Sequence, residues 1–240
     1  MLCTELAILA AAREKGFDAD VYAGLSLGEY AALAACGALT TEAALALIVK
    51  RGALMQDAVP YGGAMTAVMG LENEVIEAVC QKTAGIVSVA NYNCPGQTVI
   101  TGEKAAVEAA AEALKVAGAK RCIPLNVSGP FHSSMLQEAG KKLEQELATV
   151  EIHDFNHPYV TNVTAEYVTD KNQIKQLLTE QISSPVCWQQ SIERMIRDGV
   201  DTFIEIGPKK TLTGFLKKIN KDVRAIHIET VEDLESLVSR

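Results

Sequence analysis

The apolar positions change their spacing along the chain, and the changes divide it. Residues 2–15 are rich in Ala and Leu and stop at Gly16, which predicts a helix that opens with no capping residue ahead of it. A short apolar run over 20–24 predicts a strand, followed by a helix to about Cys36. Past Gly37, Thr40 or Thr41 can cap a helix reaching Asp57, with Leu45, Ile48, Val49 and Met55 along one face.

Pro60-Tyr61-Gly62-Gly63 interrupts that pattern. The next stretch predicts a strand over 64–70, a helix over 72–83, strands over 86–91 and 98–101, a helix over 103–117 and a strand over 120–127. That βαββαβ order is the ferredoxin-like arrangement, which closes on itself. Residues 61–127 are therefore expected as a ferredoxin-like subdomain inserted into a large α/β domain made of 1–60 and 128–240. In the last part a helix follows His132, a strand lies over 159–163, and helices cover 171–182 and 188–197. A strand over 202–206, a helix to near Asn220, a strand over 224–228 and a short tail helix complete the chain. Strands alternating with helices predict a mainly parallel sheet for the large domain.

Composition narrows the function classes. The chain has 240 residues, 48% hydrophobic and 22% charged, enough for one substantial core with a smaller inserted unit. Its net charge of −8 discounts nucleic acid as a partner. No leader pattern is visible and no stretch approaches ~20 apolar residues, so neither secretion nor membrane spanning is expected. The six cysteines form no CxxC pair and none stands at metal-ligand spacing with a histidine. Reduced thiols in a cytoplasmic protein, without a metal, are the expectation.

Three places carry chemistry. Gly24-Leu25-Ser26-Leu27-Gly28, between a strand and a helix, fits a hydrolase-like nucleophile elbow, whose tight turn is expected to need both glycines. Ser26 at a helix N-terminus would also place main-chain N–H groups where an oxyanion develops. A glycine-rich turn whose serine only caps the helix is the other reading. His132, in Gly129-Pro130-Phe131-His132-Ser133, precedes a helix that Ser134 and Gln137 can open as a capping box. The positive end of that helix favours a neutral, basic imidazole able to take a proton from Ser26. A turn histidine bonded to local backbone is the alternative. Arg51 flanks the apolar face of its helix, where a partly buried guanidinium wants an anion, either a ligand's carboxylate or, in an internal salt bridge, Asp57 or another acid. The pairs Lys209-Lys210 and Lys217-Lys218 read as solvated faces or as a dock for an acidic partner.

Together these segments resemble the malonyl-CoA:acyl carrier protein transacylases of fatty acid biosynthesis, over essentially the whole chain. Gly24-Leu25-Ser26-Leu27-Gly28-Glu29-Tyr30 resembles the family's GHSLGEY elbow, with Leu25 where the family usually has His. Lys50-Arg51-Gly52, Asn91-Tyr92-Asn93-Cys94-Pro95-Gly96-Gln97, Gly129 to Ser133 and Glu205-Ile206-Gly207-Pro208 are similar to further family segments, in order. The resemblance implies that Ser26 carries the acyl ester, with His132 as base and acid. It implies Arg51 on the malonyl carboxylate, the Leu27 N–H on the oxyanion, and the backbone carbonyl of Gln181 orienting the histidine. Phe131 would crowd the acyl α-carbon, and Asn93 would lie near the acyl or pantetheine path. Malonyl-CoA and acyl carrier protein are the implied partners, and no cofactor is implied.

The family normally opens with a strand and a Gly-Gln-Gly loop that supplies a second oxyanion donor. No such segment precedes Ser26, so the resemblance implies a chain that starts late and is weakly active or poorly stable. One missing donor costs about 3 kcal/mol of transition-state stabilisation. Two other functions remain open on the residues. One is a non-catalytic remnant that binds acyl carrier protein; the other is a serine hydrolase or thioesterase assembled from Ser26, Asp201 and His227.

Overall fold

Thr40 Oγ1 accepts the N–H of Ala43 at 3.1 Å and so opens a long helix, as its place before the apolar face predicts. In the computed structural model, which describes residues 1–127 and 129–238, that helix is α3 (Thr41–Ala58). It packs beside α1 (Leu2–Glu14) and α2 (Leu27–Ala35), whose alanines allow close approach. Between α1 and α2 runs β1 (Tyr22–Ala23), shorter than the strand expected there.

The middle of the chain folds as β2 (Gly63–Met69), α4 (Asn73–Lys82), β3 (Val87–Cys94), β4 (Gln97–Glu103), α5 (Lys104–Val116) and β5 (Arg121–Pro124). These four strands form one antiparallel sheet in the order β3-β4-β2-β5. Strand alternation gives the sheet two apolar faces. Val68, Val89 and Ile100 pack with Ile76, Val107 and Leu114 of α4 and α5. Met65, Ala67, Ala90 and Val99 form the opposite cluster, and Phe131 packs against it. A Cβ on Gly63 would lie 2.2 Å from Pro130 Cδ, so a glycine is what lets β2 come up against the segment that carries His132.

Ser128, where the second part of the large domain was expected to begin, lies outside the described residues, as do Ser239 and Arg240. The remaining elements are α6 (Gln137–Ala148), β6 (Tyr159–Val160), β7 (Tyr167–Val168), α7 (Ile174–Gln181) and α8 (Trp188–Arg197), then β8 (Thr202–Ile206), α9 (Thr211–Ile219), β9 (Arg224–Ile228) and α10 (Val231–Val238). Helices α2, α3, α6 and α7 enclose Tyr30, Leu33, Leu47, Leu143 and Leu178. A second cluster buries Trp188, Ile192 and Leu216 of α8 and α9 against Val160 and Val186.

Among the described residues the pairings outside the central sheet are parallel in two cases of three, but the single sheet expected here is replaced by two, one of them mixed. Strand β6 pairs in parallel with β1 but antiparallel with β7, and β8 pairs in parallel with β9 as a separate sheet. The chain reverses between β6 and β7 in a tight turn: Thr161 N–H donates to Glu166 O at 3.1 Å and Ala165 takes φ 57°. A connection that short can join only antiparallel strands. The same turn ends the strand expected over 159–163 at Val160.

The central sheet is also tied to the last part of the chain. Tyr92 N–H of β3 donates to Val186 O at 2.9 Å, and Val186 N–H donates to Ala90 O at 2.8 Å. Among the described residues no helix is long and apolar enough to cross a membrane.

Candidate active site

The turn from β1 into α2 rests on one of its two glycines. A Cβ on Gly24 would lie 1.9 Å from Gly28 O, whereas a Cβ on Gly28 meets no atom within 4 Å. The expected need for both glycines is therefore corrected: only Gly24 is held by sterics, because the chain folds back over it alone. At the apex Ser26 takes φ 53°, a left-handed conformation that costs a residue with a side chain about 1–3 kcal/mol. Ser26-Leu27-Gly28-Glu29 has the spacing of a capping box, yet the serine side chain does not cap α2. Its Oγ lies 2.8 Å from His132 Nε2 and accepts from Arg51 Nη2 at 3.0 Å.

His132 is buried and also stands at positive φ, 60°. Its Nδ1 lies 2.9 Å from the carbonyl of Gln181. A carbonyl only accepts, so the ring proton sits on Nδ1 and Nε2 is left to accept from the serine. Burial, and after it the charge of Arg51, lower the His132 pKa to about 4, so the imidazole is neutral at physiological pH. The neutral form was expected, but from a different cause. The Ser134–Gln137 capping box does not form; Ser133 Oγ accepts the Met135 N–H at 3.3 Å and opens a single 3₁₀ turn before α6.

Arg51 projects from α3 into the same space and is only 5% exposed. Among the described residues no ion pair joins it to Asp57 or to any other acid, and its Nε has no partner. Its guanidinium lies over the Tyr30 ring, 5.6 Å from the centroid. Burial pulls its pKa down and outweighs the opposing influence of Tyr30 and of the buried carboxyl of Glu29, neither of which forms an ion pair with it. Leu27 is the first residue of α2, so its N–H is one of the helix's free donors, next to the nucleophile.

These groups border a cavity of about 480 Å³, whose wall includes Met55, Asn91 and Phe131. Phe131 borders this cavity beside His132. Asn93 does not border it; it is buried where β3 shifts register between Tyr92 and Cys94, and Asn91 of the same strand lines the wall instead. The triad of the hydrolase reading is not assembled, since His227 Nε2 lies 2.9 Å from Gly207 O and His132 occupies the place beside Ser26. Among the described residues no group of three or more His, Cys, Asp and Glu side chains is placed to hold a metal ion.

Three polar groups around the serine were missed. Glu29, Asn162 and the side chain of Gln181 are all buried and bonded to one another or to the elbow. Glu29 was visible as the fourth residue of the capping-box spacing; Asn162, in the turn after β6, carries no local signal.

The fold and this constellation define an acyl-transferring protein, and the chain belongs to the family described as the acyl transferase domain, whose model matches residues 1–235. It is 45% identical over 239 residues to the malonyl CoA-acyl carrier protein transacylase of Bacillus subtilis (strain 168), covering 98% of this chain and 75% of that protein. The crystal structure of MCAT from Streptococcus pneumoniae matches with a TM-score of 0.95 and 49% identity, over 99% of this chain and 79% of that one. A malonyl-transacylase in complex with its type II PKS acyl-carrier protein matches with a TM-score of 0.96 and 40% identity, over 99% of this chain and 78% of that one.

Proposed function

We propose that this chain is an [acyl-carrier-protein] S-malonyltransferase of fatty acid biosynthesis, moving malonyl from malonyl-CoA to the phosphopantetheine thiol of acyl carrier protein. The observation that carries the reading is the meeting, on one oxygen, of a neutral histidine at 2.8 Å and, at 3.0 Å, a buried arginine that forms no ion pair with any acid among the described residues. An uncharged ester would leave that cation unmatched; a substrate with a free carboxylate matches it.

His132 Nε2 takes the Ser26 hydroxyl proton as Oγ attacks the thioester carbonyl, and the Leu27 N–H donates to the oxygen that becomes negative. The carbonyl re-forms, the C–S bond breaks, and the proton on Nε2 passes to the departing CoA thiolate. Malonyl is left as an ester on Ser26, with its free carboxylate on Arg51. The carrier's thiol then gives its proton to Nε2, attacks the ester carbonyl, and Ser26 leaves with that proton restored. The Gln181 carbonyl stabilises the imidazolium in both halves. Phe131, on the cavity wall, would crowd an α-branch on the acyl group, and Asn91, also on that wall, would face the acyl or pantetheine path for which Asn93 was the candidate.

The strand order β3-β4-β2-β5 supports reading residues 61–127 as a ferredoxin-like subdomain within the large domain of 1–60 and 128–240. The Gly24 contact supports reading the turn at Ser26 as a hydrolase-like elbow.

Incubation with malonyl-CoA, followed by peptide mass analysis, tests the function. The expected result is one malonyl group on the peptide carrying Ser26, discharged by added carrier protein. Acylation that survives Ser26→Ala, or hydrolysis of the ester with no transfer to carrier, would overturn it.

A further inference from the structure

Ser26 is gripped through its main chain by two side chains distant in sequence. Asn162 Oδ1 accepts the Ser26 N–H at 2.6 Å, while Asn162 Nδ2 donates to Gly24 O at 2.7 Å, so one carboxamide spans the elbow. From the other side, Gln181 Nε2 donates to Ser26 O at 3.0 Å. Both grips converge on one atom. Glu29 Oε2 accepts from Gln181 Nε2 at 2.6 Å and from the Asn162 N–H at 3.2 Å. All three residues are at most 1% exposed. Gln181 is also the residue whose carbonyl holds His132 Nδ1, so its side chain sets the nucleophile and its main chain sets the base.

We infer that Glu29, Asn162 and Gln181 form a positioning device that holds Ser26 in its left-handed conformation and in register with His132. None of the three meets the substrate in the mechanism above. The physical need is plain: a serine at φ 53° relaxes unless its surroundings over-determine it, and relaxation swings Oγ away from Nε2. Helix α2 supplies only Glu29 to this task. The other two arms come from the turn after β6 and from the end of α7, so the device joins three separate parts of the chain at one serine. Burial raises the Glu29 pKa to about 7, which agrees with a carboxyl kept for its geometry at the expense of its solvation.

The inference rests on the malonyl-transfer reading only for its choice of substrate, so two probes are used on the full chain. The first is single-turnover acylation by malonyl-CoA. The second is the rate of Ser26 modification by phenylmethylsulfonyl fluoride, which reports an armed serine whatever the natural acyl group. Asn162→Ala and Glu29→Ala are expected to slow both reactions by roughly ten- to a hundredfold. Half-saturation by malonyl-CoA should stay within about twofold, because Arg51 and the cavity wall are untouched. Glu29→Gln keeps an oxygen for both donors and should recover most of the loss of Glu29→Ala. Should the alanine variants fail to fold, Asn162→Asp keeps the acceptor for Ser26 N–H and loses the donor to Gly24 O, and is expected to be slowed as well. Rates within twofold of the parent in Asn162→Ala or Asn162→Asp, a Glu29→Gln as slow as Glu29→Ala, or a change confined to half-saturation would overturn the inference. A parent chain that reacts with the sulfonyl fluoride but not with malonyl-CoA would refute the malonyl reading and leave the positioning device to be judged on the sulfonyl fluoride rates.

Discussion

Arg51 donates to the Oγ of Ser26 across 3.0 Å, so the cation proposed to hold the substrate's carboxylate already touches the nucleophile. Carboxylate recognition and nucleophile placement are therefore read by the same guanidinium. Arg51→Ala is expected to lower kcat/KM for malonyl-CoA by roughly a hundredfold, about 3 kcal/mol, the scale of a truncated buried charge pair. Acetyl-CoA, which lacks the carboxylate, should lose far less. Arg51→Lys should recover only part of the malonyl rate, because an ammonium cannot meet a carboxylate with two parallel donors. The ratio of the two substrates' kcat/KM values checks this; an unchanged ratio in Arg51→Ala would remove Arg51 from acyl selection.

The buried imidazole sets the acid limb of the reaction. His132 has to be neutral to accept the serine proton, and its pKa is lowered to about 4 by burial first and Arg51 second. The acylation rate should therefore hold as pH falls from 7 to about 5 and drop only near 4. A pre-steady-state pH profile of CoA release measures it. An acid limb centred on the ordinary histidine value, about 6.5, would show that the ring is solvated when it works.

Glu29 and His132 pull stability in opposite directions with pH. The Glu29 pKa is raised from 4.5 to about 7, so its stabilising contribution is complete below the unfolded value and is lost as pH rises through about 7. The His132 pKa is lowered, so its contribution is present above the unfolded value of 6.5 and is lost as pH falls toward about 4. Replacing Glu29 with Gln removes the first dependence alone. Relative to the parent, Glu29→Gln should gain stability as pH rises from 4.5 to 8, by about 3 kcal/mol in all. Urea unfolding of both proteins across that range tests the sign; a difference that stays flat with pH would mean that the carboxyl ionises freely in the folded state.

The two elbow glycines should respond differently to the same change. Gly24→Ala drives a Cβ to 1.9 Å from Gly28 O, a main-chain clash that β1 and α2 can relieve only by moving apart. A loss of more than about 3 kcal/mol is expected. Gly28→Ala meets no atom within 4 Å inside a helix, and should be neutral or stabilising by up to about 1 kcal/mol. Thermal midpoints of the two variants decide it, and equal losses would contradict the asymmetry.

The parts of this site that the sequence disclosed are those whose signal is local. Ser26 stood out because a strand, a tight turn and a helix follow one another within a few residues, and Arg51 because it flanks an apolar face. The strands and helices from Gly63 to Pro124 were legible because their spacings alternate cleanly, and each element's bounds fall within a few residues of those expected. What stayed hidden was set by contacts between distant residues. Asn162 reaches back 138 positions to Gly24, and nothing around it in sequence distinguishes it from any turn asparagine. The pairing of β6 with β7 was missed because each is two residues long, too short to show a period. That Asn91 rather than Asn93 borders the cavity stayed hidden because a register shift in β3 is a property of the paired strands, not of either alone. The capping-box spacing at Ser26 misleads for a related reason: the serine's partners lie on other elements and outcompete its own helix.

The two hydrogen bonds between β3 and Val186 also tie the cavity wall to the base. Val186 lies a few residues beyond Gln181, whose carbonyl keeps the proton of His132 in place. Asn91, between the two bonded residues Ala90 and Tyr92, lines the cavity. One short stretch of main chain thus serves as a common datum, from which both the floor for the guest and the seat of the imidazole are measured.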